Sequence, residues 1–290
     1  WNCANGTNGI FQGCSSLEKI IGIEHLINSK WTSCNSLFRG CSALKEIKTD
    51  YWDLSNVANF GFMFGNCESI TSLDLSAFNF TLKPSADFSS MFNNMRKLND
   101  LKIPNYFKGT TFSSTFAGCS LLTDLSGITF EDTTPRNDGD NAGDGMFAMF
   151  SNCTALQNIG TIICRGSSRV MFTGCNALEK IEEFQFANSY VNYDNYQMFS
   201  GITGTVTLDI NFTCTGLGPD EFIGTSVNNT LDEPDFTRET VVKLFNCLSK
   251  FGGNNSIGST AHPLVFKPTV RARLTAADIA IATAKGWTVA

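Results

Sequence analysis

Eleven cysteines, two histidines and a short run of aspartates are the side chains of this 290-residue chain with the reach for nucleophilic, redox or metal chemistry. A thiol beside an imidazole would make a nucleophile, paired thiols would bridge or hold zinc, and clustered carboxylates would take calcium. Spacing argues against each. Cys14, Cys41, Cys67, Cys119, Cys153 and Cys175 each follow a phenylalanine by three residues, and none belongs to a CxxC pair. Met95 and Ile202 hold the same place in two further segments. A place that accepts Cys, Met or Ile is a small buried apolar site, where a thiol packs as a hydrophobe and burial raises its pKa. No disulfide or zinc site is expected among these six. Of the other cysteines only Cys3 and Cys34 make a pair to watch. His25 and His262 stand near no cysteine or serine arrangement that reads as a nucleophile. Phosphate-cradling glycine loops, HExxH and paired carboxylates are missing too, so neither a catalytic residue nor a cofactor is expected. Asp138, Asp140 and Asp144 lie in the acidic stretch TTPRNDGDNAGDG, but Ala142 and Met149 stand where an EF-hand needs ligands. A solvated turn is the reading there, with a weak calcium site as the alternative.

What positions the cysteines is a repeat. Phe11, Phe38, Phe64, Phe92, Phe116, Phe150, Phe172 and Phe199 each have Leu or Ile nine positions on: FQGCSSLEKI, FRGCSALKEI, FGNCESITSL, FNNMRKLNDL, FAGCSLLTDL, FSNCTALQNI, FTGCNALEKI and FSGITGTVTL. The steps between successive Phe positions are 27, 26, 28, 24, 34, 22 and 27, and a period in this range marks a solenoid. The two residues after each Phe are short and polar or glycine, which predicts a tight helical or 3-10 turn. After the Cys the pattern L-x-x-[LI] follows, extended in Ile70–Leu73–Leu75 and Leu98–Leu101–Ile103, the alternation of a short strand with one buried face. One turn and one strand cannot bury their apolar side alone. Stacked, the strands form a parallel sheet and the Phe, Cys and Leu rows become core columns. The longest step, from Phe116 to Phe150, contains the acidic stretch, and insertions in solenoids fall in loops on one face.

The register stops after Thr213. About Arg238–Phe251 reads as a helix starting at Thr237 or Asp235. LTAADIAIATAKGW reads as a second one, with Thr275 as N-cap, Asp278 completing a capping box and Gly286 just past its end. Leu264–Phe266, Thr269–Arg273 and Trp287–Val289 read as strands.

The pattern F-x-[GN]-C-x-x-L-x-x-[LI] resembles the BspA-like leucine-rich repeats of bacterial cell-surface proteins. It is nearest the variant with a period of roughly 26 residues and an M-F-x-x-C opening, found in surface lipoproteins of gut and oral anaerobes. The resemblance covers about residues 10–212, and the C-terminal sequence resembles the module that ends many such proteins. It implies an α/β solenoid: a right-handed leucine-rich-repeat superhelix of about eight repeats over 1–212, with a parallel sheet of short strands and short helical turns. Residues 213–290 would form a small α+β capping module. It also implies a non-catalytic recognition or adhesion module, extracellular or on the bacterial cell surface, with a protein ligand from a host or a bacterial surface. A lipid anchor could lie upstream of Trp1. A structural stalk of a surface or phage-tail-like assembly, and a glycan-binding module, are the alternatives.

Charge supplies no positive clue. The net charge is −6 with both signs interleaved, and the longest basic stretch, Arg271–Ala272–Arg273, is too short for a nucleic-acid footprint. The chain has no apolar run long enough to span a membrane. The outward strand positions are the natural contact surface. One row reads Lys19, Glu46, Ser72, Asp100, Asp124, Asn158, Lys180 and Thr207; the next reads Ile21, Lys48, Asp74, Lys102, Ser126, Gly160, Glu182 and Asp209. Mixed polar rows without aromatics suit protein better than sugar, which makes Asp100, Lys102 and Asp124 candidate contacts. Tyr190, Tyr193 and Tyr196, clustered before Phe199, are the other candidates, since Tyr is enriched at interfaces.

Overall fold

Seven ring pairs run unbroken from Phe11 to Phe199, each Phe stacked on the next with centroids 5.2–6.1 Å apart and planes within 20°. The structure is a computed structural model and describes residues 8–133, 145–186, 198–202, 206–213, 234–248 and 263–290. Neither unequal spacing disturbs the column: Phe116–Phe150 stack at 5.6 Å and Phe150–Phe172 at 5.8 Å. Extra and missing residues are absorbed outside it. A second column four positions earlier joins Phe60, Phe88 and Phe112 at 5.2 Å per step.

The strands of the third to eighth repeats begin where the alternation predicts; the first two repeats form none, and those at 106–109 and 235–236 are additional. The strands are β1 (Ser72–Asp74), β2 (Asp100–Lys102), β3 (Tyr106–Gly109), β4 (Asp124–Asp132), β5 (Asn158–Cys164), β6 (Lys180–Phe186), β7 (Thr207–Phe212) and β8 (Asp235–Phe236). β1 and β2 pair with each other, and β3 to β8 form a six-stranded sheet in chain order, all parallel. Leu73 and Leu125 are buried between exposed neighbours, and Ile159 and Ile181 continue the same inward row. β4 bulges between Leu125 and Thr129 against β5, with Gly127 left-handed at φ 68°. The bulge leans on Gly160, where any Cβ would lie 2.2 Å from the Ile128 carbonyl oxygen, so only glycine fits.

The rung openings differ from the helical turns expected. Among the described residues up to Phe212 the helix is one 3-10 turn, Ile23–His25; the openings are tandem turns instead. The cause is a pair of left-handed residues bracketing each Phe. Two positions after it stand Gly13, Gly40, Asn66, Asn94, Gly118, Asn152, Gly174 and Gly201, with φ between 56° and 78°. Two positions before it stand Gly9, Ser36, Phe62, Ser90, Ser114, Ala148 and Val170, with φ between 50° and 67°. This geometry turns every second N–H toward the following rung. Ser36, Phe38 and Gly40 donate to the carbonyls of Gly61, Met63 and Gly65, and Ser90, Phe92 and Asn94 to those of Ser113, Thr115 and Ala117. The N–H groups between them close on carbonyls three positions back, as Cys41 does on Phe38. The stack therefore has a second hydrogen-bond ladder beside its sheet, and the backbone donors are satisfied without a helix.

The last repeat slips by two positions. Lys180 and Ile181 pair with Asp209 and Ile210, not with Thr207 and Leu208. A slip of two keeps the buried face buried, so the core tolerates it.

Beyond β8 come α1 (Arg238–Cys247), β9 (Pro263–Leu264), α2 (Pro268–Arg273), α3 (Ala276–Thr283) and β10 (Thr288–Val289). Thr237 caps α1 by accepting the Thr240 N–H, which satisfies one of the donors a helix start leaves open. The Thr240 hydroxyl accepts the Ile210 N–H of β7 at 2.7 Å, laying α1 on that strand. The capping box of Thr275 and Asp278 forms, and α3 ends in a Schellman turn. The Trp287 N–H donates to the Ala282 carbonyl and the Gly286 N–H to that of Thr283, with Gly286 at φ 88° and Trp287 buried. The expected Thr269–Arg273 strand is instead helix α2. Pro268 at its first position presets the helical φ, and Arg273 reaches back to the Phe236 carbonyl and Asp235.

Candidate functional site

The repeat cysteines are chemically quiet for a reason beyond size. The thiols of Cys41, Cys67, Cys119, Cys153 and Cys175 donate to the carbonyls of Phe11, Phe38, Phe92, Phe116 and Phe150 in the preceding rungs, at 3.0–3.1 Å. Each of those carbonyls also accepts an N–H within its own rung, so Cys supplies a second donor that Met95 and Ile202 forgo. Burial pushes the thiols up: Cys41 to about 11, Cys119 and Cys175 to about 12, and it raises Cys67 and Cys153 as well. Cys14 departs from the buried column and is exposed, because no described rung lies beneath it. Cys34 is buried with its thiol raised by desolvation to about 12, while Cys3 lies outside the described residues.

The outward strand rows assemble through the middle of the stack, but Gly160 is buried and the slip at β7 sets Asp209, not Thr207, beside Lys180. In the first two copies, which form no strand, Lys19 pairs with Glu46 and Lys45 with Glu18. In β1 and β2 the Ser72 hydroxyl donates to Asp100 at 2.9 Å, and Lys102 stands 3.8 Å from Asp74. Asp124 accepts the Ser126 N–H at 2.9 Å, and the Gly127 N–H donates to Glu182. Asp100, Lys102 and Asp124 are all exposed, so the three sequence candidates sit on solvent-facing strand positions.

Reading the motif alone misses an extension of these rows. β3, β4 and the residue that follows β5 set Tyr106, Lys108 and Arg165 around the Glu131 carboxylate. Tyr106 donates to Glu131, Lys108 lies at 3.2 Å and Arg165 at 3.8 Å. Burial opposes the Glu131 charge, but these partners outweigh it and hold the carboxyl below its ordinary range; the same bond lifts Tyr106 to about 12. Next to it the fully buried Asp132 accepts the backbone N–H groups of Arg165 and Gly166. Only the position of these residues beyond Leu125 and Ile159 in long apolar-polar alternations signals them.

Tyr190, Tyr193 and Tyr196, and Asp138, Asp140 and Asp144, lie outside the described residues, as does His262. His25 is exposed and stacks on Tyr51 with centroids 5.2 Å apart. Among the described residues no group of three His, Cys, Asp or Glu side chains is placed to hold a metal, and no helix is long and apolar enough to cross a membrane.

Residues 5–127 match a family model described as Mycoplasma protein of unknown function, DUF285. That stretch contains the first five repeats, from Phe11 to Leu125. Among solved structures the chain is similar to a leucine-rich repeat protein from Bacteroides ovatus, at 17% identity over 81% of this chain and 71% of that one, with a TM-score of 0.32. No curated protein matches. The chain is a parallel-sheet repeat protein with few, short helices.

Proposed function

We propose that the chain is a non-catalytic recognition module of a bacterial surface or secreted protein that binds a protein partner through its outward strand rows. The observation that supports this best is the division of labour along each strand. Inward positions are spent on the core columns, while the alternate positions offer aligned polar and charged groups over many rungs. Such a surface recognises by complementary charge pattern and has no nucleophile of its own. In this reading the rungs wind right-handed, as parallel crossovers do, and α1 to α3 close the sheet beyond β8 as a cap. The division into residues 1–212 and 213–290 belongs to the same proposal. The pairing of row charges with one another, Asp74 with Lys102 for example, favours one competitor: a stalk whose surface is already neutralised.

The test uses immobilised protein to capture partners from host extracellular matrix, followed by titration of the purified partner against a variant carrying Asp100→Lys, Lys102→Glu and Asp124→Lys. Recognition through the rows requires binding to drop at least about tenfold with an unchanged melting curve, as expected for reversed charges at an interface. Undiminished binding, or the absence of any partner, would leave the stalk as the better account.

A further inference from the structure

A second surface lies on the turn columns, away from the strand rows. The two positions after each Phe read Gly65–Asn66, Asn93–Asn94, Ala117–Gly118, Ser151–Asn152 and Thr173–Gly174 along the middle of the stack. Ala117–Gly118 is the smallest of these pairs and stands between two asparagine-bearing rungs. The result is a polar groove of about 450 Å³, with Asn93, Asn94 and Arg96 on one wall, Gly118 in the floor, and Ser120 and Asn152 completing it. That volume is in the range of small-ligand sites, about 300–1,000 Å³.

The lining has a definite chemistry. Asn94 spends its amide N–H groups on Asn66 and Asn93, at 3.1 and 3.0 Å, which fixes that wall. The Asn93 side-chain nitrogen, Nδ2, makes no hydrogen bond among the described residues, while its backbone N–H donates to the Ser90 carbonyl. Asn152 uses its nitrogen only on Ser151 at 3.3 Å, and its side-chain oxygen accepts nothing among the described residues. Spare amide donors and acceptors on facing walls match groups that both give and take hydrogen bonds, as hydroxyls do. Arg96 is well exposed, and its one ionic neighbour among the described residues, Glu68, touches Nε at 3.9 Å. The two terminal nitrogens remain for a planar anion, and a guanidinium holds a carboxylate with two parallel bonds. No aromatic side chain or second net charge lines the groove.

We propose that this groove binds a uronic-acid residue of a saccharide, with the carboxylate on Arg96 and the sugar hydroxyls on Asn93, Asn152 and Ser120. The repeat itself supplies variants that fill the groove without harming the fold. Ala117→Gln introduces the residue the first repeat carries in that column, Gln12, and Gly118→Asn the residue of the third, fourth and sixth. Those asparagines hold φ between 56° and 61°, so the left-handed turn at Gly118, φ 78°, accepts Asn. The atom nearest to a Cβ there is the Asn94 side-chain oxygen, so Gly118→Asn would also turn that amide off Asn66 and Asn93, which makes Ala117→Gln the cleaner variant.

The test is calorimetric titration of the whole chain with glucuronate and galacturonate, their oligomers, neutral oligosaccharides of equal length, and oligo-glutamate. The expected result is uronate binding that falls at least about tenfold in Arg96→Ala and in Ala117→Gln, with melting temperatures unchanged. Monomers that bind as well as oligomers would place a chain end in the groove; tighter oligomers would place an internal residue there. Absence of uronate binding, indifference to Ala117→Gln, or tighter binding of oligo-glutamate or the neutral sugars overturns the proposal. The outcome is independent of the strand rows, because Arg96→Ala leaves Asp100, Lys102 and Asp124 in place.

Discussion

Between Phe11 and Phe199 the rungs repeat one set of contacts: a ring on a ring, alternate N–H groups on the following turn and, in five of the eight, a thiol on a carbonyl. From Asp235 onward the contacts are individual. Arg238 grips Asp278 with two bonds of 2.8 and 2.7 Å, Arg273 holds Asp235 at 2.9 Å, and Lys285 reaches the Phe245 and Asn246 carbonyls where α1 ends. The difference teaches where stability resides. In the stack it is spread over columns, so a residue's importance depends on how many neighbours its column gives it. In the C-terminal part it rests on named pairs, so it depends on charge state.

The largest effect should come from breaking a column at its centre. Phe116→Ala is expected to cost about 3–5 kcal/mol by chemical denaturation. Its ring lies between Phe92 and Phe150. Phe11→Ala, with a described ring on one side only and a partly buried side chain, should cost clearly less. Equal losses would mean that the rungs are stabilised one by one and not as a stack.

Alkali should distinguish the two regions next. The buried thiols keep their protons to about pH 11–12, while the unfolded chain loses them from about pH 9. The unfolded state then binds fewer protons, so stability is full below about pH 9 and falls as pH rises toward about 12. Each such thiol should contribute a slope of about 1.4 kcal/mol per pH unit. A variant with Cys41, Cys119 and Cys175 changed to Ala should melt lower at neutral pH yet lose about half of that slope, since Cys34, Cys67 and Cys153 remain, which pH-dependent denaturation would show.

Acid should do the reverse to the C-terminal part. Hydrogen bonds from Arg238, and then from Thr275, hold the Asp278 carboxyl down at about 2. That stabilisation is present above the ordinary carboxylate range, near about pH 4, and disappears as pH falls toward about 2. In Asp278→Asn the protection of the α3 amides from hydrogen exchange, relative to the intrinsic rate at each pH, should be low at neutral pH and little changed by acid, whereas protection in the Phe92–Phe116 rungs should match the parent. Faster exchange in those rungs as well would show the two regions to be one cooperative unit.

The smallest effect tests the turn geometry. Val170 is a branched residue held at φ 50°. L side chains are strained in that region. Val170→Gly should therefore stabilise by about 1 kcal/mol in chemical denaturation, and Gly174→Val should destabilise by at least as much. Gly174 stands at φ 76°. A loss in the first variant would mean that packing of Val170 outweighs its strain.

Sequence makes the stack readable because its demands recur. A left-handed residue after the Phe shows as Gly or Asn in all eight repeats, and the inward strand positions as Leu or Ile. Its partner two positions before the Phe has no such mark: Ser36, Phe62, Ala148 and Val170 share nothing but their φ. The ladder imposes that conformation from outside, so no local preference announces it, and short polar openings read as helical turns. The thiol bond is hidden likewise, since its acceptor lies a whole repeat away. In the C-terminal part the caps at Thr237 and Thr275 are legible because they are local. There Val270, flanked by Thr269 and Arg271, imitates strand alternation inside a short helix that Pro268 has already begun. The strand rows can be written down from the repeat register as far as Lys180, where the slip at β7 sets Asp209 in place of Thr207. The Glu131 cluster and the Ala117–Gly118 groove need coordinates, because each joins residues from three rungs.

The one-way ladder also has a mechanical meaning. Its hydrogen bonds run from rung to rung, so a pull on the two ends of the stack loads a single interface at a time and opens it like a zip. Each opening frees one repeat, most often about 27 residues, or roughly 90–95 Å of extended chain. The long repeat between Phe116 and Phe150 would release more than this, and the short one between Phe150 and Phe172 less. Under tension the chain would thus behave as a ratcheted tether, and the order of long and short steps in a force trace would report which end yields first.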